Sequence, residues 1–315
     1  MPAAAQPLHL LVPNAVPATP AHGTDDDGAA AVLGALLARL QPAGTLRLPG
    51  DSPATPFEAA LARALHLPGE AGRWPWAALD TATIGAACAW LRPCHWQLGL
   101  DHVTLLNPAD VALTEAESHA LLATVQPLLA EDGIALHYHR PDAWLAQGAL
   151  FDGLTTCSMA RALQAPVTRD VLAAAPTEAQ GAHLRRLQTE LQMLLYHHPV
   201  NEAREAARRW PVNALWISGA GVLDAPLPPS PQVRVEPRLA QLPPECSADD
   251  WRAAWQAIDA GAAAPLRRVL DGGGHARLTL CGPRRAISFA PGRGLGARIS
   301  SIFSPQRLTD VREQL

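Results

Sequence analysis

The sequence contains no long hydrophobic run, and this absence excludes one class of protein. None of the apolar stretches in its 315 residues approaches the roughly 18 residues that a membrane-spanning helix requires. The first residues, MPAAAQPLHLLVPN, also lack the basic start and the long apolar stretch of a secretion signal. We therefore expect a cytoplasmic protein that does not have a membrane as its partner.

An excess of positive charge is lacking as well. The chain carries 25 basic and 29 acidic residues, which gives a net charge of -4 at pH 7. Proteins that bind a phosphate backbone usually have a strongly basic surface, so we expect no nucleic-acid partner. All 25 basic residues are arginine. This bias fits a GC-rich bacterial genome and indicates no mechanism.

Cysteine pairs and short catalytic signatures are missing too. The five cysteines are odd in number and scattered, and they form no CxxC pair, which argues against a disulfide framework and a zinc knuckle. The chain has no Gly-x-Ser-x-Gly elbow, no Walker loop and no dinucleotide-binding glycine motif in a strand-to-helix context. No common catalytic class can therefore be assigned from a local motif.

Periodic and capping patterns predict a layered α/β fold. Capping-box spacing predicts that helices begin after Thr55, Thr114 and Thr177. Leucines at helical intervals extend the last of these helices over residues 178–196. Short apolar runs predict strands at residues 8–12, 134–139 and 214–218, and a further helix is expected over residues 29–40. Alternating strands and helices of this kind are typical of a βα core.

A proline-rich segment gives the expected domain boundary. Seven prolines lie between residues 224 and 244, with little periodicity around them. We therefore expect an α/β core over residues 1–223, a linker or surface arm over 224–248, and a small α+β extension over 249–315 that packs on the core.

Residues 196–221, YHHPVNEAREAARRWPVNALWISGAG, resemble a stretch of the archaeal-type cofactor-independent phosphoglycerate mutases. The matching positions are His198, Pro199, Asn201, Arg204, Pro211, Asn213, Gly219 and Gly221. Together with CAWLRPCHWQLGLDHV, DDWRAAWQAIDAG and LTLCGPRRAISF, the segment resembles bacterial RpfE-type regulatory proteins over nearly the whole chain. The resemblance implies a truncated core like that of alkaline phosphatase and phosphoglycerate mutase.

The same resemblance implies a metal-dependent enzyme, with Asp and His ligands for two metal ions and a serine nucleophile. The predicted first strand is followed by Pro13 and Asn14, without the early aspartate of that family, and His275 stands alone beside a glycine run. We therefore expect a non-catalytic or regulatory relative of phosphoglycerate mutase.

A small anion, phosphate or carboxylate, is the expected ligand of this relative. Asn201 and Arg204 are three residues apart and share one helix face, where an amide and a guanidinium can grip an anion together. Backbone N–H groups near Gly219 and Gly221 could approach the same ligand. The expected site contains Asn201, Arg204, Asn213, Gly219, Gly221 and His198. The alternative is that these residues cap helices and close turns.

A second hypothesis is a metal-dependent phosphotransferase or hydrolase of the phosphoglycerate mutase type that uses a different site. Thiol, imidazole and carboxylate donors occur close together in the sequence and suit a divalent ion such as zinc or manganese. The expected ligands are Cys94, His95, Asp101, His102, His137 and His139. Neighbouring residues on a strand point in opposite directions, so Cys94 and His95 could both bind only at a bend.

A third hypothesis is a protein-interaction module. Trp251 and Trp255 lie one helical turn apart, directly after the proline-rich segment. If both were exposed, they would form a docking surface for a protein partner.

Overall fold

The computed structural model describes residues 7–17, 30–100, 102–164, 166–168, 173–228, 232–243, 245–292 and 307–315. Contacts divide the chain into two compact units. The terminal unit contains residues 1–50, 55–66 and 227–315, and the central unit contains residues 51–54 and 67–226. Each unit contains both strands and helices, so the expected α/β class is confirmed.

The strands are β1 (Leu8–Val12), β2 (Leu40–Arg47), β3 (Cys88–Cys94), β4 (Trp96–Leu98), β5 (His102–Leu105), β6 (Ala135–Arg140), β7 (Ala143–Gln147), β8 (Thr155–Thr156), β9 (Val167–Thr168), β10 (Ala173–Ala174), β11 (Ala214–Gly221), β12 (Gln232–Val235), β13 (Ala276–Cys281) and β14 (Arg285–Pro291). The helices are α1 (Ala31–Leu37), α2 (Pro56–Leu65), α3 (Trp76–Thr81), α4 (Pro108–Val111), α5 (Glu115–Glu131), α6 (Met159–Gln164), α7 (Glu178–Tyr196), α8 (Pro199–Ala206), α9 (Ala248–Ile258), α10 (Ala264–Asp271) and α11 (Leu308–Gln314). A π-helical turn, Asp259–Ala263, joins α9 to α10.

The sheet of the terminal unit draws its strands from both ends of the chain. Within the described residues its order is β12-β1-β13-β14-β2. The first strand, β1, is parallel to β12 and β13, and the remaining pairs are antiparallel. Because β12 lies inside the proline-rich segment, part of the expected arm is a sheet strand. This pairing explains why the terminal unit combines the first and the last parts of the chain. The expected domains, by contrast, are consecutive segments of the sequence.

The alternation of side chains along β1 separates two faces of this sheet. Leu8, Leu10 and Val12 belong to the larger hydrophobic core, which also contains residues of α1, α9 and α10. Leu11 points the other way and packs in a smaller cluster with Ala60 of α2. The second face, beneath α2, is therefore only partly filled with apolar side chains.

Trp251 and Trp255 lie in the larger core of the terminal unit, where they are 4 % and 0 % exposed. Their rings meet edge to face, with centroids 6.2 Å apart. The tryptophans therefore form no docking surface. A protein partner stays a prediction, and its surface must lie elsewhere.

The central unit is built on an antiparallel sheet of order β11-β3-β7-β6. The apolar faces of α5 and α7 cover one side of it, with Leu121, Val125, Leu187 and Leu191 in the shared core. Two smaller groups of strands, β4-β5-β9 and β10-β8, complete the described part of this unit.

Local sequence patterns predict several of these elements. The strand Leu8–Val12 and the helix Glu178–Tyr196 have the expected bounds, and complete capping boxes at Thr55 and Thr114 are confirmed. The helix expected over residues 29–40 is wrong at its end: α1 stops at Leu37, and Leu40 begins β2, which pairs with β14. Among the helices of the described residues, none is long and apolar enough to cross a bilayer.

Candidate functional site

Arg204, the expected anion-binding cation, has all of its guanidinium nitrogens engaged inside the central unit. Its side chain is 1 % exposed and lies on α8. Nε donates to the carbonyl of Trp210 at 2.7 Å, Nη1 to Oε2 of Glu117 at 2.8 Å, and Nη2 to the carbonyl of Val111. The charge of Arg204 therefore already has a carboxylate partner. Its contacts tie α8 to α4 and α5.

Asn201 is saturated in the same way. Nδ2 donates to the carbonyls of Leu195 and Val212, each at 2.7 Å, and Oδ1 accepts from the backbone nitrogen of Val212 at 2.8 Å. The side chain is 2 % exposed. A buried amide with both its oxygen and its nitrogen engaged has little capacity left for a ligand. These bonds correspond to the alternative in which the motif caps helices and closes turns.

His198 and Asn213 also bind the polypeptide itself. His198 caps α8, because its Nδ1 accepts from the backbone nitrogen of Val200 at 3.1 Å, while Nε2 lies 2.9 Å from Oγ1 of Thr124. Burial lowers the pKa of His198. Asn213 bonds both the backbone nitrogen and the carbonyl of Trp96, each at 2.9 Å.

Gly219 and Gly221 serve close packing of α3 against β11. Gly219 has a φ of +62°, in the left-handed region, and a Cβ there would lie 3.0 Å from Cβ of Trp76. Gly221 has a φ of +147°, and its Cβ would lie 3.2 Å from Cβ of Pro75. Both glycines stand where the pairing of β11 with β3 shifts register. Space and backbone conformation explain their residue type.

The thiol and imidazole of the expected metal site diverge from one another. Cys94 is buried, its Sγ lies 3.5 Å from the carbonyl of Ala214, and burial raises its pKa to about 12. A thiol with so high a pKa is a poor source of the thiolate that binds metals. His95 bonds the carbonyl of Pro211 through Nδ1 at 2.9 Å and packs on Trp210.

The remaining members of the expected metal site do not complete it. His102 lies on β5, whereas His137 and His139 lie on β6, and the ring of His139 packs on Trp90 with centroids 4.9 Å apart. Asp101 lies outside the described residues. Among the residues that the structure describes, no three His, Cys, Asp or Glu side chains are grouped so that they could hold a metal ion.

A cleft of about 590 Å³ lies in the terminal unit, on the face of its sheet that is covered by α2. Apolar side chains such as Leu46, Ala60 and Ala64 form part of its wall. Its ionisable lining is entirely basic and consists of His9, Arg63, His66, His275 and Arg277. None of the described residues that line it carries a carboxylate. The cleft is therefore an electropositive concavity in a chain whose net charge is negative.

Strand pairing and a helix end bring these basic side chains together. His9 of β1 is directly opposite Arg277 of β13 in the parallel ladder, so both point to the same face. Arg63 lies in the last turn of α2, and His66 ends that helix in the left-handed conformation, with a φ of +57°. A sheet and the helix above it thus contribute cations from two sides.

His9 begins a hydrogen-bonded chain across three neighbouring strands. Its Nε2 lies 2.8 Å from Oγ1 of Thr279, and that hydroxyl lies 2.8 Å from Oγ of Ser288, which also lines the cleft. Burial, followed by the charge of Arg277, lowers the pKa of His9 to about 4. The imidazole is therefore neutral at pH 7.

The sequence analysis overlooked this site, although it contains a signal for it. In LHLLV and ARLTLC the polar residues His9, Arg277 and Thr279 alternate with apolar residues that face the core. A period of two places His9 on the side of its strand away from Leu8 and Leu10, and it places Arg277 and Thr279 together on one side of theirs. What the local pattern does not contain is the pairing that sets the strands side by side.

No protein-family model matches the chain, and no curated protein matches its sequence. Two solved structures are similar to it over nearly the full length of both chains. The cofactor-independent phosphoglycerate mutase of Thermoplasma acidophilum is 13 % identical, with 98 % of this chain and 99 % of that chain covered and a TM-score of 0.37. The PH0037 protein of Pyrococcus horikoshii is 11 % identical, with 98 % and 96 % covered and a TM-score of 0.47.

The low pKa of His9 predicts acid-sensitive folding. Because the folded-state pKa of about 4 lies below the ordinary 6.5, the unfolded chain binds a proton that the folded chain excludes. The stabilisation is complete above pH 6.5 and is lost as the pH falls through 4. We expect the free energy of unfolding, measured with urea, to fall between pH 7 and pH 4. The fall should be roughly 3 kcal/mol larger in the wild type than in His9→Gln.

The matched control is His275→Gln, which replaces an exposed imidazole of the same cleft. It should retain the pH dependence of the wild type. Equal pH dependence in wild type and His9→Gln would show that His9 is not the buried neutral group described here.

Proposed function

We propose that the protein binds a small anionic ligand, carrying a phosphate or a carboxylate, in the basic cleft of the terminal unit. We propose further that it acts as a regulatory, non-catalytic relative of phosphoglycerate mutase. The observation that carries the first proposal is the lining: two guanidinium and three imidazole groups converge without a carboxylate. Such a set favours an anion with several acceptor oxygens.

The availability of the arginines supports this choice of site. Arg63 and Arg277 are exposed, and neither forms an ion pair within the described part of the chain. Arg204, by contrast, is enclosed and paired with Glu117. A ligand that reached Arg204 would have to displace a carboxylate and two carbonyls. A ligand that reached Arg63 and Arg277 would meet no such ion pair within the described residues.

The regulatory part of the proposal is supported by the sequence. Residues 196–221 resemble phosphoglycerate mutases, and the wider set of matching segments resembles RpfE-type regulatory proteins. The residues that carry the first resemblance hold α8 and β11 in place, which supports common ancestry without common chemistry. The resemblance implies an early aspartate ligand after the first strand, whereas Pro13 and Asn14 follow β1 in this chain.

Phosphate binding to the double variant R63Q/R277Q tests the cleft. Each charge-assisted hydrogen bond contributes about 1.5–3 kcal/mol, so loss of both arginines should weaken phosphate binding by at least about a hundredfold. Isothermal titration with inorganic phosphate at pH 7 gives the affinity, and circular dichroism verifies folding. R185Q, which removes an exposed arginine of α7, should bind as the wild type does. Equal losses in both variants, or no binding by the wild type at millimolar phosphate, would contradict the proposal.

An activity assay tests whether the protein is non-catalytic, as proposed. Purified protein supplied with manganese or zinc should not convert 3-phosphoglycerate to 2-phosphoglycerate above the uncatalysed background, because the residues that match the mutases are committed to the fold. A phosphoglycerate mutase of archaeal type, assayed in parallel, controls for the conditions. Turnover at an ordinary enzymatic rate, about 1 per second or faster, would show that the chain is an enzyme.

A further inference from the structure

The hydrogen-bonded chain beneath the cleft links a buried titratable ring to the ligand surface. His9, Thr279 and Ser288 lie on β1, β13 and β14, which are adjacent in the sheet. The two heavy-atom distances, 2.8 Å each, are those of good hydrogen bonds. Thr279 is fully buried, whereas His9 and Ser288 both reach the cleft. A change in the position of the proton on His9 can therefore change whether Ser288 presents a hydrogen or a lone pair to the cleft.

Among the described residues that line the cleft, the ionisable groups around His9 are all basic. Arg277 and His275 face the cleft from β13 and the residue before it, and Arg63 and His66 face it from α2. The neighbouring strands contribute only uncharged groups to the same lining, such as Ser288 of β14 and Gly44 and Leu46 of β2. On the other side of β1, the residue opposite His9 is Val233 of β12. Every charged neighbour therefore opposes protonation of His9, and an anion among them would favour it.

We propose that the cleft takes up one proton on His9 when it binds its anion, and that Thr279 and Ser288 then turn a hydrogen-bond donor toward the ligand. The inference rests on the proposed function, since it concerns the same cleft. The proton comes from solvent. Nε2–H of the imidazolium donates to Oγ1 of Thr279, whose O–H donates to Oγ of Ser288, and the O–H of Ser288 is left for an oxygen of the anion.

The direction of the hydrogen bonds from His9 through Thr279 to Ser288 explains why protonation of His9 affects anion binding. When Nε2 of a neutral ring accepts from Thr279, that hydroxyl accepts from Ser288, and Ser288 presents only lone pairs to the cleft. Those lone pairs repel an anion. A neutral ring allows either polarity, according to which nitrogen carries its hydrogen. A protonated ring cannot accept at Nε2, so it fixes the polarity that anion binding requires. The cleft should thus prefer full anions over neutral isosteres, and more strongly so in mild acid.

Sulfate is a suitable probe because it keeps both charges from pH 5 to pH 7. If the bound anion raises the pKa of His9 by about two units, as an opposite charge at close range can do, sulfate should bind about tenfold more tightly at pH 5 than at pH 7. Titration calorimetry at pH 5, in two buffers that differ in ionisation enthalpy and carry no carboxylate or phosphate, should show uptake of most of one proton per sulfate.

Variants of the full chain separate the contributions. His9→Gln should bind sulfate with little proton uptake and little pH dependence, and the shape-preserving Thr279→Val should weaken binding at pH 5 several-fold. The double variant H66Q/H275Q controls for the exposed imidazoles and should retain most of the uptake.

Two outcomes overturn the inference in different ways. Sulfate binding without proton uptake, or uptake that survives His9→Gln and disappears in H66Q/H275Q, would contradict the role of His9 and leave anion binding in place. No binding of sulfate or phosphate by the wild type at either pH would overturn the proposed function together with the inference.

Discussion

The parallel pairing of β1 with β13 is the constraint on which the terminal unit and its cleft depend. It joins residues about 270 positions apart, as the bond from His9 to Thr279 shows. The same ladder sets Leu8, Leu10 and Val12 against the larger core and leaves His9 beside Arg277 on the opposite face. A shift of one residue would exchange these faces and place the imidazole in the core. Core packing therefore fixes the register that assembles the cleft.

The residues that carry the resemblance to phosphoglycerate mutases form hydrogen bonds within the central unit. Asn201 and Arg204 satisfy buried backbone carbonyls, those of Val212 and Val111, which would otherwise lack partners. Removing either side chain would leave these groups unpaired, at a cost of about 1–3 kcal/mol each.

Local patterns predict the elements of this protein better than they predict its site. The leucine spacing of α7 and the capping boxes before α2 and α5 are complete within a short window, so the sequence indicates them directly. The cleft depends on long-range pairing of β1, β13 and β14, which no local window contains. A guanidinium can donate either to carbonyls or to an anion, so the spacing of Arg204 alone could not separate the two roles. The side chains of adjacent Cys94 and His95 contact different backbone carbonyls, those of Ala214 and Pro211, which their spacing alone does not indicate.

The location of a bound anion tests the account most directly. Crystals grown with selenate, whose selenium gives an anomalous signal, would place the anion without reference to any mechanism. We predict a peak in the basic cleft, within hydrogen-bond distance of Arg63 or Arg277 and of Ser288. Occupancy at Asn201 and Arg204, or an empty cleft when selenate binds elsewhere on the same chain, would contradict the central claim.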